Sequence, residues 1–117
     1  MPQILGYVTT GERAAFDAYA LSLGLDVTAL ANLLILRELR APRLPELAAR
    51  YDTAGPAGDR TKIVAHTRTP EIKGLFAAHA ASAALKPSRA AAILFRAELE
   101  ERWLGTHVLP VNRFDSL

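Results

Sequence analysis

Hydrophobic and polar positions follow the same order twice along the chain. Ile-, Val- and Tyr-rich stretches predict a short strand within QILGYV (3–8) and another within KIVAHTR (62–68). After each strand, apolar residues recur at helical spacing, and these are Phe16, Tyr19, Ala20 and Leu23 in the first copy and Phe76, His79, Ala80 and Ala83 in the second. A second helix follows in each copy and is apolar on nearly every side, which is typical of a buried helix.

The predicted helices have clear boundary residues. Thr9 and Glu12 have the spacing of a capping box, and Thr69 precedes Pro70, which suits the first position of a helix. The other boundary residues are Gly24 at the end of the first helix, Asp26 as the N-cap of the second, and Pro87 at the start of the last.

These parallels amount to an internal repeat. Residues 3–39 align with 63–99 without a gap, and the identical pairs include Thr9/Thr69, Phe16/Phe76, Leu34/Leu94, Glu38/Glu98 and Leu39/Leu99. One copy of about 40 residues rarely buries a sufficient core alone. We therefore expect each copy to supply half of one shared core.

The predicted fold class is mainly α with a two-stranded antiparallel β-ribbon. We expect one compact domain, 1–117, with a first unit at 3–40, a linker at 41–60, a second unit at 61–104 and an extended tail at 105–117. Within the linker, PELAARY (45–51) predicts a short helix and TAGPAGD (53–59) a flexible turn. The last helix is predicted to run through EERWL (100–104) and to end at Gly105.

Composition narrows the classes of function. The 117 residues include no cysteine, which excludes disulfides, thiolate metal sites and a cysteine nucleophile. No signal-like N-terminus or membrane-length apolar run is evident, so we expect a cytoplasmic protein without a membrane partner. The net charge is only +2, but residues 60–96 contain seven Lys and Arg against one acidic residue, Glu71. This local excess favours a polyanionic partner.

The order strand, helix, helix resembles the ribbon-helix-helix family of DNA-binding proteins (the Arc, MetJ and CopG repressors). The resemblance lies in the two strands and in the segments TTGERAAFDAYALSLGLDVTALANLLILREL (9–39) and TPEIKGLFAAHAASAALKPSRAAAILFRAEL (69–99). In that family two chains pair their strands into a ribbon above four interlocked helices. The resemblance implies two tandem copies in one chain, a fused pseudo-dimer.

The resemblance also implies which residues contact DNA. The exposed ribbon face would read bases in the major groove, which admits a two-stranded ribbon. Alternation in the second strand predicts Lys62, Val64, His66 and Arg68 on its outer face, and Arg68 is the best candidate for a bidentate contact to guanine. The start of each second helix would bind phosphates, and the candidates are Thr28 in the first copy and Lys86, Ser88 and Arg89 in the second.

The first strand departs from the family pattern. Gap-free equivalence of the repeats would turn Ile4, Gly6 and Val8 outward, which is poor chemistry for contacting bases. If Gln3 and Tyr7 face outward instead, they are base-reading candidates, but the two strands then differ in register. Both alternatives remain open from the sequence.

No pattern in the sequence indicates an enzyme, a cofactor or a metal site. His66, His79 and His107 lack the carboxylate pattern of metal ligands, and His79 matches Tyr19 of the repeat, as a residue at the core boundary would. Glu98, Glu100 and Glu101 are predicted to form a solvated helix face.

The leading hypothesis is a double-stranded DNA-binding protein, either a transcriptional repressor or a DNA-transfer accessory factor, that associates with itself on adjacent sites. The alternative is a protein-interaction module that kept the ribbon-helix-helix core but lost DNA binding. A toxin-neutralising role for residues 105–117 is a third hypothesis.

Overall fold

Two strand-helix-helix sets flank a short helix. The computed structural model describes residues 2–52 and 58–104. In chain order the elements are β1 (Gln3–Val8), α1 (Thr10–Ser22), α2 (Val27–Arg40), α3 (Leu44–Tyr51), β2 (Thr61–His66), α4 (Pro70–Ser82) and α5 (Pro87–Glu101). The structure is therefore mainly helical with a two-stranded antiparallel sheet, and the predicted short linker helix is confirmed as α3. Residues 53–57 of the predicted turn and the predicted tail at 105–117 lie outside the described residues.

The predicted caps begin the helices. Thr9 Oγ1 accepts a hydrogen bond from the Glu12 backbone N–H (3.1 Å), and Glu12 Oε1 accepts one from the Thr9 N–H (2.8 Å), which completes the capping box. Thr69 caps α4 and Asp26 caps α2 in the same way, through their side-chain oxygens. Because a cap depends only on neighbouring residues, it could be predicted from the sequence.

The predicted end of the last helix is wrong. α5 ends at Glu101, four residues before Gly105, and Arg102 takes the left-handed conformation with φ of 50°. The turn that follows is fixed by Glu98, whose Oε2 accepts a hydrogen bond from the Leu104 N–H at 2.7 Å. Gly105 itself lies outside the described residues.

The ribbon packs on the helices through its inner face. Ile4 and Val8 of β1 and Ile63 and Ala65 of β2 are buried, with α5 beneath β1 and α2 beneath β2. Gly6 allows the closest approach, because a Cβ at this position would lie 2.5 Å from Phe95 Cε2. A side chain at position 6 would therefore separate β1 from α5.

The gap-free alignment of the two copies holds for the helices and fails for the strands. α1 and α4 begin and end sixty residues apart, and the outward residues of the strands lie fifty-nine apart. Counted from the last outward residue of each strand, Tyr7 or His66, the second copy has one more residue before its first helix. Because side chains alternate across a strand, that residue reverses which face each aligned position occupies.

α2 and α5 are covered to different extents. In α5 the run Ala90–Phe95 is wholly buried, as its apolar sequence predicts. In α2 the same prediction fails at Leu33 and Leu36, which are 38% and 39% exposed. The difference arises because α3 packs against α5.

Two buried glutamates connect the copies. Glu98 Oε2 accepts a hydrogen bond from Tyr19 Oη of the first copy (2.6 Å), and Glu38 Oε2 lies 2.7 Å from His79 Nε2 of the second. Glu98 is 1% exposed and also accepts from Arg37 Nη1 at 2.7 Å. The prediction of a solvated Glu98 is therefore wrong, since partners on three segments replace the water that a buried carboxylate would otherwise need.

Candidate nucleic-acid interface

The outer face of the ribbon consists of three cross-strand pairs. Antiparallel pairing places Gln3 opposite His66, Leu5 opposite Val64 and Tyr7 opposite Lys62. None of these six residues is fully buried, whereas their neighbours along each strand are mostly buried. The structure thus selects the alternative in which Gln3 and Tyr7 face outward and the strands differ in register. It also confirms that Lys62, Val64 and His66 lie on the outer face of β2, whereas the predicted fourth residue, Arg68, lies beyond the strand.

The Tyr7 end of this face is strongly basic. The guanidinium of Arg60 lies over the Tyr7 ring, 4.4 Å from its centroid, beside the exposed Lys62. The Lys62 carbonyl accepts a hydrogen bond from Arg13 Nη1 at 2.7 Å, which holds α1 against this end of the ribbon. Arg60 was not predicted as a site residue because it precedes the strand. The one feature of the sequence that pointed to Arg60 was its position in the basic segment 60–96.

The opposite end combines Gln3, His66 and Arg68. Gln3 and Arg68 are exposed and His66 is half-buried. β2 ends at His66 and α4 begins at Pro70, so Arg68 lies beyond the strand, in the connection between them. Thr67 continues the strand pairing by donating its N–H to the Pro2 carbonyl at 3.1 Å. Arg68 therefore projects from the margin of the ribbon rather than from its centre.

The centre of the face is apolar. Leu5 and Val64 are both half-buried and stand directly opposite each other. Neither can donate or accept a hydrogen bond through its side chain. In a major groove, side chains of this kind contact the methyl group of thymine.

The two candidate phosphate sites have different chemistry. At the start of α2, Asp26 accepts a hydrogen bond from the Ala29 N–H at 2.7 Å, so a carboxylate already occupies this helix end, next to the half-buried Thr28. At the start of α5 the N-cap is Lys86, and no described side chain caps the helix. Since the N–H groups and the dipole at a helix start both favour an anion, the α5 site suits a phosphate better.

Arg89, beside this second site, has an acidic partner. Its Nε donates to Asp52 Oδ1 at 2.7 Å, although its side chain remains 62% exposed. The hydrogen bond with the Asp52 carboxylate, together with its charge, raises the pKa of Arg89. A phosphate would have to share or displace Asp52 to bind Arg89, whereas Lys86 and the half-buried Ser88 have no such partner among the described residues.

The described residues were also compared with the patterns of metal sites and membrane-spanning helices. No three His, Asp or Glu side chains within them are grouped so that they could hold a metal ion. His79 contacts Glu38 at the boundary of the core, and His107 lies outside the described residues. Of the described helices, none is by itself long and apolar enough to cross a membrane, although α1 and α2 together would be, with a 90° bend between them.

Comparison of the chain with protein-family models, with curated proteins and with solved structures gives no significant match.

Proposed function

We propose that this chain is a double-stranded DNA-binding protein of the ribbon-helix-helix type, a cytoplasmic transcriptional repressor or DNA-transfer accessory factor. The observation that carries the proposal is the outer face of the ribbon. Polar or basic side chains stand at both of its ends, and an exposed cation, Arg60 or Arg68, flanks each of them. A two-stranded ribbon fits the major groove with such side chains against base edges.

The proposal includes a tandem pseudo-dimer within one polypeptide. Contacts exchanged between the copies support it, because Tyr19 of the first reaches Glu98 of the second while His79 of the second reaches Glu38 of the first. Tyr19 and His79 occupy equivalent positions of the two copies, sixty residues apart, and so do Glu38 and Glu98. Reciprocal contacts of this kind are expected across an axis that relates two similar halves.

The proposed DNA contacts divide into two groups. The first group would contact bases or the groove margin and consists of the outward polar residues Lys62, Gln3, Tyr7, His66 and Arg68. Between them, Leu5 and Val64 would lie against thymine methyl groups. Lys86 and Ser88, at the uncapped start of α5, would bind a phosphate that flanks the groove. Because the two ends of the ribbon carry different side chains, the preferred DNA site would not be palindromic. Higher affinity would come from self-association of the protein on adjacent DNA sites.

The test is a fluorescence-anisotropy titration of duplex DNA with Lys62→Ala, Arg68→Ala and Lys86→Ala variants. Salt is varied from about 50 to 200 mM, because release of counterions makes log K fall linearly with log salt concentration. A lost phosphate contact should reduce that slope by about one, and a lost base contact should weaken the preferred sequence by about 1–3 kcal/mol. Genomic promoter fragments are compared with a random duplex to detect sequence preference.

Arg40→Ala is the matched control. Arg40 is an exposed cation in the last turn of α2 and belongs neither to the ribbon nor to the start of a second helix. Its removal changes the net charge by the same amount and should leave the salt slope nearly unchanged. Equal slopes for Arg40→Ala, Lys62→Ala and Lys86→Ala would contradict the proposed interface. Absence of binding at low salt by folded protein would contradict DNA binding altogether.

The alternative function is a protein-interaction module that kept this core. The Leu5–Val64 pair favours it, because an apolar centre on an exposed ribbon also suits a protein surface. Substitution of both residues by Thr distinguishes the two functions. A DNA-binding ribbon should retain its salt-dependent affinity, whereas an apolar protein interface should lose most of its binding.

A further inference from the structure

An apolar groove of about 400 Å³ is lined on one side by α2. Ile72 of α4 contributes to its lining, together with Ile35 and Thr67, which are buried. Leu33 and Leu36 also line it and are 38% and 39% exposed. A cavity of this size with a mainly apolar lining lies in the range of small-molecule sites, about 300–1,000 Å³.

The corresponding face of α5 is covered. The residue sixty positions after Leu33 is Ile93, which is 0% exposed. α3 packs against α5 and contributes the buried Leu44 and Leu47 to the core. Among the described elements, no helix covers Leu33 in this way. The groove therefore exists because α2 has no equivalent of the cover that α3 gives to α5.

Two polar groups of the groove have no partner in the part of the chain that the structure describes. Asn32 Oδ1 is buried there without a hydrogen bond, although buried acceptors are normally satisfied. Arg68 is exposed and pairs with no described carboxylate, and none of the residues that line the groove is acidic. The Thr67 hydroxyl, in contrast, already donates to the Thr69 carbonyl at 3.2 Å. The groove thus offers one free acceptor and one free cation.

These features define the chemistry of a ligand. A buried acceptor requires an N–H or O–H donor, because leaving it unsatisfied is costly. An arginine without acidic neighbours in the lining favours a carboxylate, which it can bind through two parallel hydrogen bonds. The apolar lining favours an aromatic or aliphatic body for the rest of the molecule.

We propose that the groove on α2 binds a small amphipathic carboxylic acid whose apolar body carries an N–H or O–H donor. The carboxylate would pair with Arg68, the donor would bond to Asn32 Oδ1, and the apolar body would cover Leu33. The inference is independent of the proposed function, because it uses the lining of the groove and requires no contact with DNA.

Displacement of a fluorescent reporter tests the proposal. Anilinonaphthalenesulfonate is apolar and anionic, carries an N–H donor, and becomes more fluorescent when it leaves water for an apolar site. Indolepropionate competes with it and is compared with indolepropionamide, which lacks the charge. We expect the amide to compete at least about tenfold more weakly, because its hydrogen bonds to an arginine are not charge-assisted on both sides. Equal competition by the acid and the amide, or no displacement by the acid at millimolar concentration, would overturn the proposal.

Matched variants locate the site. Arg68→Ala should weaken indolepropionate binding about tenfold, whereas Arg40→Ala, which removes an exposed cation outside the groove lining, should leave it unchanged. Leu33→Asp should abolish binding, and Leu21→Asp, at a position that is 78% exposed on α1, should not. Asn32→Ala should weaken indolepropionate about threefold and leave N-methylindolepropionate, which lacks the donor, unaffected. This last variant removes an unsatisfied acceptor, so we expect it to fold.

Two results of the variant series would contradict the proposal. The first is equal affinity of Arg68→Ala and Arg40→Ala for indolepropionate, with unchanged circular dichroism. The second comes from sedimentation of the native protein and of Leu33→Asp. A dimer that forms with rising concentration and is lost in Leu33→Asp would show that a second copy of the chain, and not a small acid, fills the groove.

Discussion

Gly6→Ala should destabilise the protein through a contact that can be specified atom by atom. The new Cβ would lie 2.5 and 2.8 Å from two ring carbons of Phe95 and 3.0 Å from the backbone nitrogen of Ala92. Carbon atoms normally approach to about 3.5–4.0 Å, so the strand, the ring or both must move. Phe95 has little room, because it is fully buried and its ring centroid is 5.3 Å from that of Phe16.

The magnitude follows from two opposing effects. Adding a methyl group to a well-packed core typically costs about 1–3 kcal/mol. The loss of backbone freedom in the unfolded chain offsets about 0.4–1 kcal/mol of that cost. We therefore expect Gly6→Ala to lower the free energy of unfolding by about 1–2 kcal/mol, which corresponds to a fall in Tm of roughly 4–10 °C for a domain of this size.

The assay is urea denaturation followed by circular dichroism, with Gly74→Ala as the matched control. A Cβ at Gly74 would meet nothing within 4 Å, and the residue is exposed in the middle of α4. The same chemical change should therefore stabilise the protein there, by about 0.5–1 kcal/mol. In a Phe95→Leu background the cost of Gly6→Ala should shrink, because the obstructing ring is gone. An undiminished cost in that background, or a Gly6→Ala protein as stable as Gly74→Ala, would refute the steric argument.

Two further predictions concern a turn and an ion pair. Ala84 has a φ of 60°, a left-handed conformation that glycine adopts more easily, and the equivalent residue of the first copy is Gly24. Ala84→Gly should therefore relieve about 1 kcal/mol of backbone strain and raise the midpoint of urea denaturation. A lower midpoint would contradict this prediction. Burial alone would raise the pKa of Glu101, but the hydrogen bond and charge of Arg43, together with the Tyr51 hydrogen bond and the charge of Arg50, outweigh it and lower that pKa. The stabilisation is then complete above the unfolded-state pKa and is lost as pH falls through the lower folded-state value. Glu101→Gln should be less stable than the native protein by about 1 kcal/mol at pH 7, and this difference should shrink as pH falls through the folded-state pKa; a difference that does not change with pH would exclude the mechanism.

The elements could be predicted from the sequence because their determinants are local. Thr9 and Glu12 cap a helix through each other, and alternation in β2 places Lys62 outward, whatever the rest of the chain does. The register between the strands was not predictable in the same way. The outward strand residues are fifty-nine positions apart and the helices sixty, and this difference of one residue reverses the face on which every aligned strand position lies.

The buried glutamates could not be recognised from their neighbours. Glu98 stands beside Glu100 and Glu101, a pattern that normally indicates a solvated helix face. Its burial depends on Tyr19, 79 positions away, whose hydroxyl reaches it only once the copies interlock. The available signal was the identity of Glu38 and Glu98, because an acidic residue kept at matching positions of a repeat favours a shared structural role.

If the chain is the proposed fused pseudo-dimer, the presence of both copies in one polypeptide permits the differences between its two halves. In a symmetric dimer any change in one half appears in both, so Asp26 at one helix start and Lys86 at the other could not coexist. Here the first copy satisfies its helix start internally with a carboxylate, and the second leaves its own open to an anion. The ribbon is asymmetric as well, since Arg60 stacks on Tyr7 at one end and Arg68 lies in the connection after β2 at the other. Under the proposed function, phosphate binding would be stronger beside α5 than beside α2, and this inequality would set the orientation of the protein on its DNA site.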